Sequence, residues 1–190
     1  MATRKPEDRV LVDPRAIKAL AHPARLTVLD ALNDGSELTA TECAEAAGVS
    51  PSAMSYHLRA LEKWGFVERA GNSQDGRERP WRSVPGGWRV DSMPDRAAAA
   101  ATSALLSTMF QRLNAEFARW NERESEQPAE WRDAAILQSR AAWLTAEEAK
   151  ELVELYESFL DARRDRTAKD HPAGARRVRA ANVVVPLQLK

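Results

Sequence analysis

Gly48-Val49-Ser50-Pro51-Ser52-Ala53-Met54-Ser55-Tyr56-His57-Leu58-Arg59-Ala60-Leu61-Glu62-Lys63-Trp64-Gly65 is the stretch that decides the fold. Ser50 followed by Pro51 reads as a helix N-cap with proline at the first helical position, where its missing N–H is no loss. Met54, Leu58 and Leu61 fall on one face of that helix. Ser52, Ser55, Tyr56 and Arg59 fall on the other. The helix therefore has an apolar back to dock on a domain. Its front is small and hydrogen-bonding, as entry into a DNA major groove ~12 Å wide requires. Gly48-Val49-Ser50 supplies a tight turn before it, and Gly65 stops it.

Upstream, Thr39-Ala40-Thr41-Glu42 has the spacing of a capping box and predicts a helix of about two turns ending at Gly48. Pro23 opens an earlier helix, with Leu26, Val28, Leu29 and Leu32 at helical spacing and Asn33-Asp34-Gly35 as its stop. Asp13-Pro14 opens a short one that ends at Leu20. Downstream, Phe66 to Ala70 reads as a strand and Gly71 to Gly76 as a loop. Arg77 to Val84 reads as a return strand interrupted by Pro80, which suits only an edge. Short helices, a turn, a longer helix and a hairpin predict a winged helix-turn-helix over residues 13–90, after a flexible N-terminus at 1–12.

In that frame Ser50 and Ser52 stand at a helix start, where hydroxyls and the helix N-terminus favour phosphate. Ser55, Tyr56 and Arg59 face the groove, and Arg59 and Lys63 add phosphate contacts. Arg77 and Arg79 at the hairpin tip reach the adjacent minor groove or backbone. His22 and His57 read as hydrogen-bonding structural or phosphate-contacting residues, and His57 joins the DNA-contacting set.

These stretches resemble a known family. Ala19-Leu20-Ala21-His22-Pro23-Ala24-Arg25-Leu26-Thr27-Val28-Leu29 looks like the opening motif of ArsR-type bacterial repressors. Ser50 to Val67 looks like their recognition helix and its exit, and Gly76-Arg77-Glu78-Arg79-Pro80-Trp81-Arg82 resembles the wing of an actinobacterial-looking subgroup. The resemblance covers residues 13–85. It implies a homodimeric, operator-binding transcription factor, usually a repressor released by an effector. It departs from the metal sensors of the family. Their Cys-x-Cys positions hold Thr39 and Thr41 here, and Thr hydroxyls are poor ligands for soft ions. Cys43, the sole cysteine, reads as a small core residue. The region matching the family's C-terminal metal site offers acids but one histidine, His171.

Beyond residue 90 periodicity alone speaks. Leu105, Met109, Leu113, Phe117 and Trp120 form one apolar stripe, so residues 91–129 read as a long dimerisation helix. Residues 133–143 alternate as a strand would. Thr145-Ala146-Glu147-Glu148 is a second capping box opening a helix to about Arg166. Val178 and Val183-Val184-Val185 suggest a last strand before Pro186. Residues 130–190 then form an α/β segment for effector binding or dimer support. Phe117, Trp120, Trp131, Trp143 and Tyr156 are candidates for an apolar effector pocket, with ordinary core packing as the plainer reading. The fold class is mainly α with a small β-wing.

Charge is balanced, with 28 Lys and Arg against 28 Asp and Glu, but unevenly placed. Residues 51–90 carry seven basic and four acidic side chains, whereas 91–162 carry seven and fourteen. A local basic surface is what phosphate contact needs. The acidic run Glu147, Glu148, Glu151, Glu154 and Glu157 reads as a solvated helix face. No Ser/His/Asp spacing, P-loop or dinucleotide glycine pattern occurs, so no catalytic residue and no cofactor are expected. No apolar run approaches the ~18 residues of a membrane span, and the start lacks a signal-peptide stretch, so a cytoplasmic location is expected. The partners expected are double-stranded DNA, a second copy of the chain and an apolar small molecule. The alternative is a winged-helix module that binds another protein instead of DNA. No metal sensing is expected at either family site: protein purified without chelator should carry no stoichiometric metal by elemental analysis, and one equivalent per subunit would overturn this.

Overall fold

The computed structural model of the chain describes residues 9–71, 79–90 and 95–187. They form two compact units, one reaching Glu116 and one starting at Phe117. In the first, helices begin where side chains satisfy the free N–H groups of a first turn. α1 (Pro14–Leu20) is capped by Asp13, whose carboxylate accepts from the Arg15 N–H at 2.8 Å. α2 (Pro23–Leu32) is capped by His22, whose Nδ1 accepts from the Ala24 N–H at 3.2 Å. α3 (Ala40–Ala47) opens on the expected capping box, in which Glu42 accepts from the Thr39 N–H at 2.7 Å and Thr39 Oγ1 accepts from the Glu42 N–H at 3.2 Å. α4 (Pro51–Lys63) is capped by Ser50. Pro14, Pro23 and Pro51 each sit in a first turn, where no N–H is required of them.

These helices bury one contiguous core that includes Ile17, Leu20, Val28, Leu32, Cys43, Met54, Leu58 and Leu61. The wing closes one side of it. β2 (Val67–Arg69) pairs antiparallel with β3 (Trp81–Ser83), register Glu68 with Arg82. Both strands are shorter than the sequence suggests. Pro80 has no N–H to give to a ladder and stays outside β3, although its carbonyl accepts from Ala70 N–H at 2.8 Å. Leu38 extends the pairing on the other side of β3, exchanging backbone hydrogen bonds with Trp81 at 3.0 and 2.6 Å.

The stretch expected to be a loose N-terminus is held from residue 9 onward. β1 (Arg9–Val10) lies parallel to β4 (Trp88–Arg89), and Leu11 is buried in the core. Arg9 also donates to the Trp64 carbonyl. The physical reason is the backbone ladder: Arg9 N–H donates to Gly87 C=O and Leu11 N–H to Arg89 C=O, both at 2.9 Å.

α5 (Arg96–Asn121) begins at Asp95, whose carboxylate accepts from the Ala98 N–H at 3.1 Å. Its buried residues are Ala98, Ala101, Leu105 and Thr108, a stripe of mostly small side chains that lets the helix approach the core closely. Arg112 ties it to α2 through Asp30. The helix as far as Glu116 thus belongs to the first unit, past the boundary near residue 90 expected from the sequence.

The second unit corrects two sequence expectations. It contains a 3₁₀ turn (Glu124–Glu126), α6 (Ala129–Ala134) and α7 (Ala146–Asp161). The strand expected at 133–143 does not form, nor does the one at Val183–Val185. An isolated strand leaves its N–H and C=O groups without ladder partners, and among the described residues of this unit no other strand is present to supply them. Ile136 and Leu137 are adjacent and both exposed, so the alternation has no sheet face to bury. α7 opens on its expected capping box, with Glu148 accepting from the Thr145 N–H at 2.7 Å, and ends at Asp161, short of Arg166.

Trp81 links wing and core. It is 1% exposed, Arg69 lies 3.8 Å over its ring, and its indole N–H has no hydrogen-bond partner among the described residues. Trp81→Ala is expected to cost about 3–5 kcal/mol in urea unfolding. Trp81→Phe, which keeps an aromatic face and removes the unpartnered donor, is expected to cost markedly less.

Candidate nucleic-acid interface

α3, a turn and α4 form the helix-turn-helix. Gly48 makes the turn at φ +64, a left-handed conformation that a Cβ disfavours. The Val49 N–H returns to the Ala44 carbonyl at 3.0 Å, satisfying the helix end. Ser50 Oγ then accepts from the Ala53 N–H at 3.3 Å and starts α4. α4 is held by Met54, Leu58 and Leu61, each fully buried.

Its outer face carries most of the expected set. Ser50, Ser52, Arg59 and Lys63 are exposed, and Tyr56 is 62% exposed. Ser55 is half-buried and donates its hydroxyl to the Pro51 carbonyl at 2.9 Å, leaving its lone pairs outward. Arg59 Nε donates to the Ser55 carbonyl at 3.2 Å, which lays the guanidinium along the helix. Lys63 lies 5.9 Å from the Trp64 ring. Arg79 is exposed at the base of the wing, with its carbonyl accepting from Arg69. Arg77 lies outside the described residues.

His57 departs from the expected DNA-contacting set. It is 8% exposed and points inward, where its Nδ1 accepts from Arg25 Nε at 3.2 Å and its ring meets that of His22 at a tilt of 41°, 4.3 Å between centroids. Helical spacing explains the difference: His57 is adjacent to Leu58 and follows Met54 by three, so it lies at the edge of the apolar face. Arg25 is the residue that sequence reasoning missed. It reaches α4 from α2, donates to the Ala19 carbonyl at 2.9 Å, and lies 5.8 Å from the Tyr56 ring. Its position three residues after a histidine N-cap was the available signal.

Desolvation, reinforced by the Arg25 charge, lowers the His22 pKa from the ordinary histidine value. Desolvation, His22 and Arg25 together lower that of His57. Glu42 is held below the usual carboxylate range by the backbone N–H of Thr39 that it caps.

The aromatic residues considered for an effector pocket do not assemble one. Trp143 is 91% exposed and Phe117, Trp120, Trp131 and Tyr156 are half-buried. A depression of about 390 Å³ at the end of α7 is lined instead by residues that include Arg163, Arg166, Asp170 and His171. No described residue of this unit is buried, so it has no apolar interior in which aromatic side chains could converge. Among the described residues, no three His, Cys, Asp or Glu side chains are grouped as a metal ion would need. No described helix is long and apolar enough to cross a membrane.

Residues 22–69 match the family model described as bacterial regulatory protein, arsR family. This segment is thus similar to the helix-turn-helix of that family. It runs from the His22 cap of α2 to the end of β2 and so contains the whole candidate interface on α4. The chain is also similar to the HTH-type transcriptional regulator NmtR of Mycobacterium tuberculosis, at 46% identity over 59 residues. That alignment covers 30% of this chain and 48% of the relative, about half its length. Among solved structures, the winged helix-turn-helix domain of Mb0332 from Mycobacterium bovis aligns at 24% identity. It covers 58% of this chain and 81% of that one, with a TM-score of 0.32. The Mycobacterium tuberculosis MarR family protein Rv2887 aligns at 22% identity over 77% and 85% of the two chains, with a TM-score of 0.31.

A Cβ at Gly48 would meet nothing within 4 Å, so a substitution there tests the backbone conformation alone. Gly48→Ala is expected to lower stability by about 1 kcal/mol in chemical denaturation, with the fold retained by circular dichroism.

Proposed function

We propose that the chain is a sequence-specific DNA-binding transcriptional regulator that acts as a homodimer, and that it represses until a non-metal effector releases it. The observation that carries the reading is the two-faced α4. Three fully buried apolar residues hold it down, while Ser52, Tyr56 and Arg59 stand outward. A rigidly seated helix with a polar, uncrowded front is what base readout in a major groove requires. The ArsR-type match over residues 22–69 supports it, because that family is one of bacterial regulatory proteins.

Each residue has a role in this reading. Tyr56 and Arg59 read base edges. Ser50 and Ser52 at the α4 N-terminus bind phosphate and set register, and Lys63 and the wing arginines add backbone contacts. Two copies join through α5, where Phe110 is 50% exposed away from the buried stripe. Two-fold pairing then sets the recognition helices one DNA turn apart.

The test is fluorescence anisotropy with labelled DNA from just upstream of the protein's own gene and a scrambled control, at two salt concentrations. Clear preference for the upstream DNA, with affinity falling steeply as salt rises, is the expected result. Equal, weak binding to both would favour the protein-interaction alternative. Tyr56→Ala or Arg59→Ala is expected to cost about tenfold on upstream DNA and little on scrambled DNA. Equal loss on both would refute a base-reading role. Sedimentation of the free protein is expected to show a dimer.

A further inference from the structure

α2 meets the recognition helix through a cluster made of His22, Arg25, Tyr56 and His57. We propose that Arg25, together with His22 and His57, is the positioning device for Tyr56, and that it holds only while both imidazoles are neutral. The inference rests on the DNA reading for its functional meaning, whereas the contacts themselves do not depend on it.

Arg25 ties α2 to two other helices with one planar cation. Its Nε donates to His57 Nδ1 on α4 at 3.2 Å, and its Nη1 donates to the Ala19 carbonyl at the end of α1 at 2.9 Å. The guanidinium lies 5.8 Å from the centre of the exposed Tyr56 ring. Tyr56 in turn meets the His57 ring edge-on, 5.8 Å between centroids at 63°. A lysine has no fork with which to reach two acceptors while presenting a flat cation to a ring.

The protonation state follows from the donors. Arg Nε–H and a backbone N–H can only donate. His57 Nδ1 faces the first and His22 Nδ1, at the α2 N-cap, faces the second at 3.2 Å. Both rings must therefore keep Nδ1 bare and carry their proton on Nε2. A proton added at either Nδ1 turns an acceptor into a donor aimed at another donor. It also sets one cation against another, because the ring centroids lie 4.3 Å apart and Arg25 is beside them. The cap of α2 and the grip on α4 are lost together.

The surrounding charges do not offset this. α2 contributes Arg25 and α4 contributes Tyr56 and, one turn on, exposed Arg59. On α1, Arg15 is tied to Asp13 and Lys18 is exposed. On α3, Glu42 is committed to its capping box and Glu45 is exposed.

The sign is worked out from the lowered histidine pKa values. The unfolded chain binds these protons more readily than the folded one, so the contribution is complete above the ordinary histidine value near 6.5 and is lost as pH falls below it. Simple attraction gives the opposite trend, because two added cations beside a phosphate-binding face strengthen DNA binding.

The experiment is an NMR titration of the full chain from pH 8 to 5, following the His22 and His57 imidazoles and the Tyr56 ring, with upstream and scrambled DNA anisotropy over the same range. Tyr56 is expected to shift with the midpoint of the histidines, and preference for upstream DNA to fall about tenfold, the size of one lost base contact. The double variant His22→Asn, His57→Asn keeps an acceptor at each position and does not titrate. It is expected to hold Tyr56 and the DNA preference constant across the range. Tyr56 signals that ignore both histidines in the unsubstituted protein, or a double variant with unchanged pH dependence, would overturn the proposal. A lack of DNA preference at every pH would instead count against the DNA reading, with the Tyr56 titration still deciding the positioning role.

Discussion

Everything in the winged unit depends on how firmly the apolar edge of α4 is seated. Met54, Leu58 and Leu61 are fully buried between α2, α3 and the wing. Each is a branched or long side chain whose burial contributes ~1.5–3 kcal/mol, enough for three to fix one helix in one orientation. That fixed orientation makes the outer face meaningful. Ser52, Tyr56 and Arg59 present one surface only because the opposite side has nowhere else to go. Gly48 serves the same end, because its left-handed turn delivers α4 to the core at an angle that a continuous helix would not take.

The wing and the N-terminal strand extend this seating outward. Trp81 packs under the hairpin and Leu38 pairs with it, so the same residue joins core, wing and the segment before α3. The β1–β4 pair anchors the chain where the wing ends. Arg112 and Asp30 hold α5 on α2. These ties run through backbone ladders, one buried indole and one ion pair.

What was legible in the sequence was local. Caps, first-turn prolines and 3.6-residue periodicity placed α1 to α4 within a few residues, because each signal acts within one turn of chain; they also marked α5 and α7, which are shorter than the 91–129 and the end at Arg166 that periodicity suggests. The β1–β4 pairing was not legible, since it joins residues almost 80 positions apart through backbone groups that every residue carries. The inward turn of His57 was hidden for a related reason. Its partner Arg25 comes from another helix, and a histidine at the edge of an apolar face reads equally well as exposed. The two strands expected in the C-terminal part show the converse limit. Alternation marks a segment that a sheet would suit, but a sheet needs a second strand. Trp120, Trp131 and Trp143 misled in the same way. Aromatic side chains suggest an interior, and residues 117–187 of the single chain have none.

That last feature has a calorimetric consequence. The heat-capacity change of unfolding is set by apolar surface that becomes newly hydrated. In an isolated chain, residues 117–187 already expose Ile136, Leu137, Trp143, Leu155 and Phe159 to solvent, so melting them hydrates little more. The thermal transition therefore belongs to the N-terminal unit. Its enthalpy is that of a protein well short of 190 residues, and α7 uncoils outside the cooperative step.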